Sequence, residues 1–194
     1  MRRESTAGFA LLDVLIATVV AVSIAGMAVP LTSRVSDDWR ARAAAGYLAG
    51  RLRLARLQAV ASGDATAMVF DRAADGGWQF VLCADRNGNG VRRADVAAGR
   101  DACDAVPTRL GDLFAGVALG LAAGVPNLDG EPGADGVVFG TSRMASCTAV
   151  GHCTPGTLYV QSPGGRQYAV RVSGVTGRTR LYRFDPGAGR WGEH

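Results

Sequence analysis

The sequence predicts an α+β protein, in which one long N-terminal helix packs on a small antiparallel β-sheet domain. Three observations carry this prediction. Residues 9–31, FALLDVLIATVVAVSIAGMAVPL, form an apolar run of 23 residues whose only charge is Asp13. Residues 34–62 keep a helical period but acquire a polar face. Beyond Gly63 the pattern breaks into short strands separated by glycine and proline turns.

The apolar run comes first. At 1.5 Å per residue it would span about 34 Å as a helix, enough to cross a bilayer core. The eight residues before it, MRRESTAG, form a short polar leader with Arg2 and Arg3. A carboxylate inside such a run is costly unless something compensates it. Cleavage between Gly8 and Phe9 would create an α-amino group one helical turn from Asp13, so that charge would meet charge. Two plainer readings compete. The small residues around Ser23 to Ala28 could serve a cleaved secretory signal, although Asp13 in its apolar core argues against that. A simple signal anchor would be oriented equally well by Arg2 and Arg3.

Pro30 should remove one backbone bond near the outer end of this segment and bend the helix. From Arg34 to Ser62, Leu48, Leu52, Ala55 and Ala59 share a stripe, with Arg51 and Arg56 off it. Such a helix can lie on a folded domain, and Ser62-Gly63 ends it. Strands are predicted at 65–70, 78–83, 117–121, 137–139, 157–160, 167–172 and 178–184. The last three should form an antiparallel meander. The glycine-rich connections 87–100 and 128–136 read as mobile loops, and 185–194 as a loose tail.

At 194 residues the chain suits one domain beyond the helix, and 27 glycines with 7% aromatic residues indicate many loops. All 21 basic residues are arginine, which GC-rich codon usage explains, and the net charge of +4 does not by itself call for nucleic acid. Four cysteines fit an oxidising compartment. Cys147 and Cys153 can close a small loop, which would leave Cys83 for Cys103, but spacing leaves all three connectivities open. Zinc is the rival, and CTAVGHC lacks a second ligand pair.

Three stretches remain for chemistry. Asp85-Arg86-Asn87-Gly88-Asn89-Gly90 matches the first half of an EF-type calcium loop, but the twelfth position is Val96 where a bidentate Glu is required. Asn-Gly turns also form without metal, so no metal or other cofactor is expected and calcium is the lesser reading. In Gly177-Arg178-Thr179-Arg180 the glycine permits a tight turn, and Arg178 and Arg180 would point the same way about 7 Å apart, close to a phosphate repeat. Tyr182 could share that face and stack on a base. The plain alternative is a solvated edge strand guarded by arginine. Catalysis has no support, since His152 and His194 are the only histidines and neither sits in a nucleophile-base arrangement.

The run Gly8-Phe9, with Asp13 and Leu15-Ile16-Ala17 following, resembles the class III prepilin signal of type IV pilins and type II secretion pseudopilins. LRLARLQAVASGDATAMVF, the Gly77-Trp78 strand running into DRNGNG, and the terminal Gly-Arg-Thr-Arg are similar to the GspH/FimT-like branch. The resemblance implies a pilin-like fold with residues 1–8 as leader and 9–31 as transmembrane and assembly helix. Residues 32–63 would continue that helix into the globular domain, 64–184 would form the β domain, and 185–194 a tail.

It further implies that a prepilin peptidase cuts after Gly8 and methylates Phe9. Asp13 stands where the family carries Glu, and would meet the N-terminal amine of a neighbouring subunit. The chain would be a single-pass bacterial inner-membrane protein with a periplasmic C-terminal domain. It would be a non-enzymatic subunit of a type II secretion pseudopilus or type IV pilus, with other pilins as partners. The alternative it implies is a minor pilin that captures DNA through Arg178 and Arg180. A third reading is an unprocessed anchored domain with an unrelated binding role.

Overall fold

A computed structural model describes residues 7–133 and 135–194, with side chains described for all of these except 7–10 and 24–34. The leader 1–8 therefore lies largely outside the described residues, as do the side chain of Phe9 and that of Pro30.

Helix α1 runs from Ala7–Ser62 as one element of 56 residues, about 84 Å at the standard rise. It joins the two segments expected at 9–31 and 32–63, and its assignment continues through Pro30. Gly63 ends it with φ of 79° while its N–H donates to the Ala59 carbonyl at 3.1 Å. A left-handed glycine here satisfies one of the carbonyls that a helix end leaves open.

The two halves of α1 have opposite surroundings. In the C-terminal half, Ala41, Ala44, Ala45, Leu48, Ala49, Leu52, Ala55 and Ala59 are buried. Their i, i+3, i+4 spacing puts them on one face, and the alanines let the helix approach the sheets closely. In the N-terminal half, residues 11–23 are exposed all round, Leu11 at 73% and Val22 at 71%. Among the described residues no helix is long and apolar enough to cross a membrane. The expected span overlaps positions whose side chains are not described.

The sheet domain has two layers of strand pairing. The strands are β1 Thr66–Arg72, β2 Trp78–Ala84, β3 Ala102–Cys103, β4 Ala118–Leu119, β5 Val137–Val138, β6 Met144–Cys147, β7 Gly156–Gln161, β8 Gln167–Val172, β9 Thr179–Asp185 and β10 Arg190–Glu193. One sheet has the order β3-β2-β1-β6; the other has the order β10-β9-β8-β7-β4, with β5 also on β7. The meander β7-β8-β9 is antiparallel, as predicted. Leu48, Leu52, Met68, Phe70, Phe80, Phe139, Leu158, Val160 and Val170 fill the core between α1 and the two sheets. On the far side of the first sheet Ala67, Val69, Cys83 and Met144 form a second cluster, covered by Val91 and Val96. Strand β1 thus buries both faces, alternating Met68 and Phe70 with Ala67 and Val69.

Two elements correct the expectations. The tail expected at 185–194 is a hairpin, with Arg190 opposite Asp185 and Glu193 opposite Tyr182. Asp185 Oδ1 accepts the Gly187 and Ala188 N–H groups at 2.9 and 3.3 Å, which shapes the turn. Trp191 then packs on Phe184 and Tyr159 and donates its indole N–H to the Pro126 carbonyl at 2.8 Å. The connection 87–100 likewise contains a helix, α2 Arg93–Ala97, and Arg93 bonds Asp71 of β1 and the Ser142 carbonyl in the turn before β6.

Candidate assembly and ligand surfaces

The cysteines settle into two of the possible pairs. Cys83 is bonded to Cys103 and Cys147 to Cys153, with sequence separations of 20 and 6. The first bond links β2 to β3, and the second closes a loop around Gly151.

That loop touches the Gly177-Arg178-Thr179-Arg180 turn. Arg56 on α1 donates to the Gly151 carbonyl at 3.0 Å, and the Cys153 N–H donates to the Gly174 carbonyl at 2.9 Å. Gly177 is buried against both, with φ of 61°. A Cβ there would stand 2.5 Å from Arg56 Cδ and 2.8 Å from the Gly151 oxygen, so only glycine fits. Thr179 faces the helix and accepts from Arg53 Nε at 2.7 Å. Alternation along the strand then sends Arg178 and Arg180 to the opposite, outward face, where both are exposed.

The charge of this face is mixed. Arg180 lies 3.5 Å from Glu193. Arg171, opposite Arg180 on β8, grips both carboxylate oxygens of Asp129 at 2.6 and 2.8 Å, and this bond raises its pKa. Arg178 has no side-chain partner among the described residues. Tyr182 lies two residues beyond Arg180 and so shares its side of β9. Arg183 points the other way and pairs with Asp38 of α1 at 3.4 Å, so it adds nothing to the patch. Nor is β9 an edge strand over its whole length, because β10 pairs with its second half.

The glycine-rich loop after β2 is organised by its own polar side chains. Asp85 Oδ1 accepts the Asn87 and Gly88 N–H groups at 3.0 and 2.9 Å, and its Oδ2 accepts that of Gly90 at 2.6 Å. Asn89 Nδ2 donates to Asp95 Oδ2 at 3.1 Å and Arg100 Nε to Asp95 Oδ1 at 2.7 Å. The Asn89 bond is the leading cause that holds the Asp95 carboxyl below its ordinary pKa, with Asn87 and Arg100 adding to it. Among the described residues no three His, Cys, Asp or Glu side chains gather into a metal-binding group.

Other candidate positions stay apart. Asp13 is exposed on the apolar half of α1, while Gly8 and Phe9 fall in its first turn. His152 is exposed beside the Cys147–Cys153 bond, and His194 packs edge-on against Tyr168.

The family described as Type II transport protein GspH matches residues 44–177 of the chain. The match begins inside α1 and stops at Gly177, so the apolar half-helix, Arg178 and Arg180 fall outside it. The chain is also similar to the minor pseudopilin EpsH from the Type 2 Secretion System of Vibrio cholerae, at 20% identity over 73% of this chain and 95% of that one, with a TM-score of 0.44. At that score the similarity adds nothing to the family match. No curated protein matches the chain.

Proposed function

The chain belongs to the Type II transport protein GspH family, and from that membership we propose that it works as a minor pseudopilin, a non-enzymatic subunit of a type II secretion pseudopilus. Residues 9–31 would hold it in the bacterial inner membrane with the sheet domain in the periplasm. A prepilin peptidase would cut after Gly8 and methylate Phe9.

One observation carries this reading. One helix is buried along one face at 41–59 and has every residue exposed at 11–23, most of them apolar. A contiguous apolar surface of that extent needs lipid or protein around it. Assembly then moves the half-helix from lipid into a bundle of like helices, where packing replaces lipid contact. Asp13 would be neutralised there by the Phe9 amine of a neighbour, which sets axial register. The test is the intact mass of the membrane-extracted protein. It should begin at methylated Phe9, and a mature chain that keeps residues 1–8 would overturn the processing step.

A second reading has its own support. Arg178 and Arg180 lie on the face turned away from α1, where a filament would present them outward, and Arg178 has no partner among the described residues. They would clamp successive phosphates of a DNA strand in a type IV pilus.

A further inference from the structure

Helix α1 carries a second apolar face, on the side of its C-terminal half turned away from the core. Trp39, Gly46, Gly50, Leu54 and Leu57 follow one another there at helical spacing, opposite the buried stripe. All five are exposed, Trp39 at 67% and Leu57 at 63%. The solvent side of a helix packed on a domain is ordinarily polar. This one presents large apolar side chains at both ends and two glycines between them.

The glycines give an independent sign. Glycine weakens a helix interior relative to alanine, so its presence needs a reason. A Cβ added at Gly46 or at Gly50 would meet no atom within 4 Å. Nothing in the chain's own packing therefore requires them, in contrast to Gly177. Two glycines four residues apart on an exposed face let a second helix approach closely.

The same helix shows what kind of surface fits. Residues 11–23 are all exposed and mostly apolar, and Asp13 is their only charge. From Trp39 to Ser62 the helix has arginines and no carboxylate. Arg42 and Arg53 stand four residues before Gly46 and Leu57, exposed at the border of the face, and Arg53 Nε bonds only the neutral Thr179 hydroxyl. An apolar helix with one carboxylate is thus complementary to an apolar face rimmed by cations. The two surfaces cannot meet within one chain, because they lie on one continuous helix with their middles about 46 Å apart.

We propose that this face receives the apolar half-helix of a neighbouring pseudopilin. Both helices enter from the membrane by their N-termini, so they run parallel, displaced along the axis by about 46 Å. Each subunit offers one surface and inserts the other, so the contact is heterologous and continues as an open helical array. The inference rests on the assembly reading above, and adds the surface that receives the half-helix and the stagger between subunits.

The experiment places a photo-crosslinker at Leu57, or at Leu15, of the full-length protein in cells that carry the secretion machinery, and maps the adducts by mass spectrometry. Leu57 should crosslink to the apolar N-terminal half-helix of another pseudopilin. Gly46→Leu/Gly50→Leu should raise Tm by about 4 °C, because it removes two helix glycines, yet lower the Leu57 yield about tenfold by blocking the close approach. Gly46→Ala/Gly50→Ala should raise Tm similarly with a smaller loss of yield. Leu57 adducts that map to lipid or to a folded domain, an unchanged yield in the leucine variant, or a fall in its Tm would each overturn the proposal. No adduct from Leu57 while Leu15 still crosslinks to other subunits would overturn this face and leave the assembly reading standing. No adduct from either position would overturn both.

Discussion

Tyr168 on β8 donates its hydroxyl to Asp38 on α1 at 3.2 Å, and the same carboxylate oxygen stands 3.4 Å from Arg183 and 3.8 Å from Arg166. Two side chains of the second sheet and one of its β7–β8 turn thus converge on one residue of the helix. The Tyr168 residue is buried, so its hydroxyl has no easy substitute for that acceptor. Asp38→Ala should lower stability by about 1 kcal/mol, while Asp38→Asn, which keeps an acceptor, should cost less. Denaturant unfolding measures both, and a loss within about 0.3 kcal/mol for Asp38→Ala would show that the clasp contributes nothing.

Gly177 and Gly189 make a matched pair. Both have positive φ, 61° and 62°, but only Gly177 has backbone and Arg56 within reach of a Cβ. Gly189→Ala should cost about 1 kcal/mol from conformation alone, and Gly177→Ala about 2 to 3 kcal/mol because the turn must also move off α1. Equal losses in thermal unfolding would mean that the contact with Arg56 yields freely.

The disulfides should differ in what they contribute. On chain entropy, closing the longer loop between Cys83 and Cys103 is worth about 3 kcal/mol and the shorter Cys147–Cys153 loop about 2 kcal/mol. Cys83→Ser/Cys103→Ser should therefore lower Tm more than Cys147→Ser/Cys153→Ser. The reverse order would point to the buttress that the short loop gives Arg56 and Gly174.

Alkaline stability should depend on Tyr159. Burial is the main cause that raises its pKa, against the opposing Leu128 N–H, which donates to its hydroxyl at 3.0 Å. A folded pKa above the unfolded value of about 10 gives a contribution that is complete below pH 10 and is lost as pH rises through the folded value. Tyr159→Phe should flatten that decline in a Tm series from pH 9 to 12 and cost about 1 kcal/mol near neutrality. An unchanged alkaline slope would contradict the assignment.

DNA binding separates the two functional readings. If Arg178 and Arg180 clamp phosphates, the full-length protein in detergent should bind duplex DNA at low salt, weaken as salt rises, and lose most of that affinity in Arg178→Ala/Arg180→Ala. Binding indifferent to the double substitution would return both arginines to surface solvation. Asp129 and Glu193 already offset their neighbours on that face.

What the sequence made legible was local. The stripe of Leu48, Leu52, Ala55 and Ala59, the stop at Gly63 and the β7-β8-β9 meander follow from periodicity and turn residues within a few positions. Strand β6 was not foreseen, since Met-Ala-Ser-Cys lacks a strand pattern and follows Arg143 at φ of 51°. The hairpin made by β10 is held by Trp191, whose partners Pro126 and Tyr159 are distant in sequence. The clasp at Asp38 joins residues 130 positions apart, beyond any local signal.

On the proposed function, the apolar half of α1 is an assembly surface. Photo-crosslinkers at Leu15 and Val19, both more than half exposed, introduced into cells that carry the secretion machinery, test it most directly. Crosslinks from both positions to other pseudopilins, lost when those subunits are deleted and weakened by Asp13→Ala, are the predicted result. Crosslinks to lipid alone, unchanged by deletion of the other subunits, would contradict it.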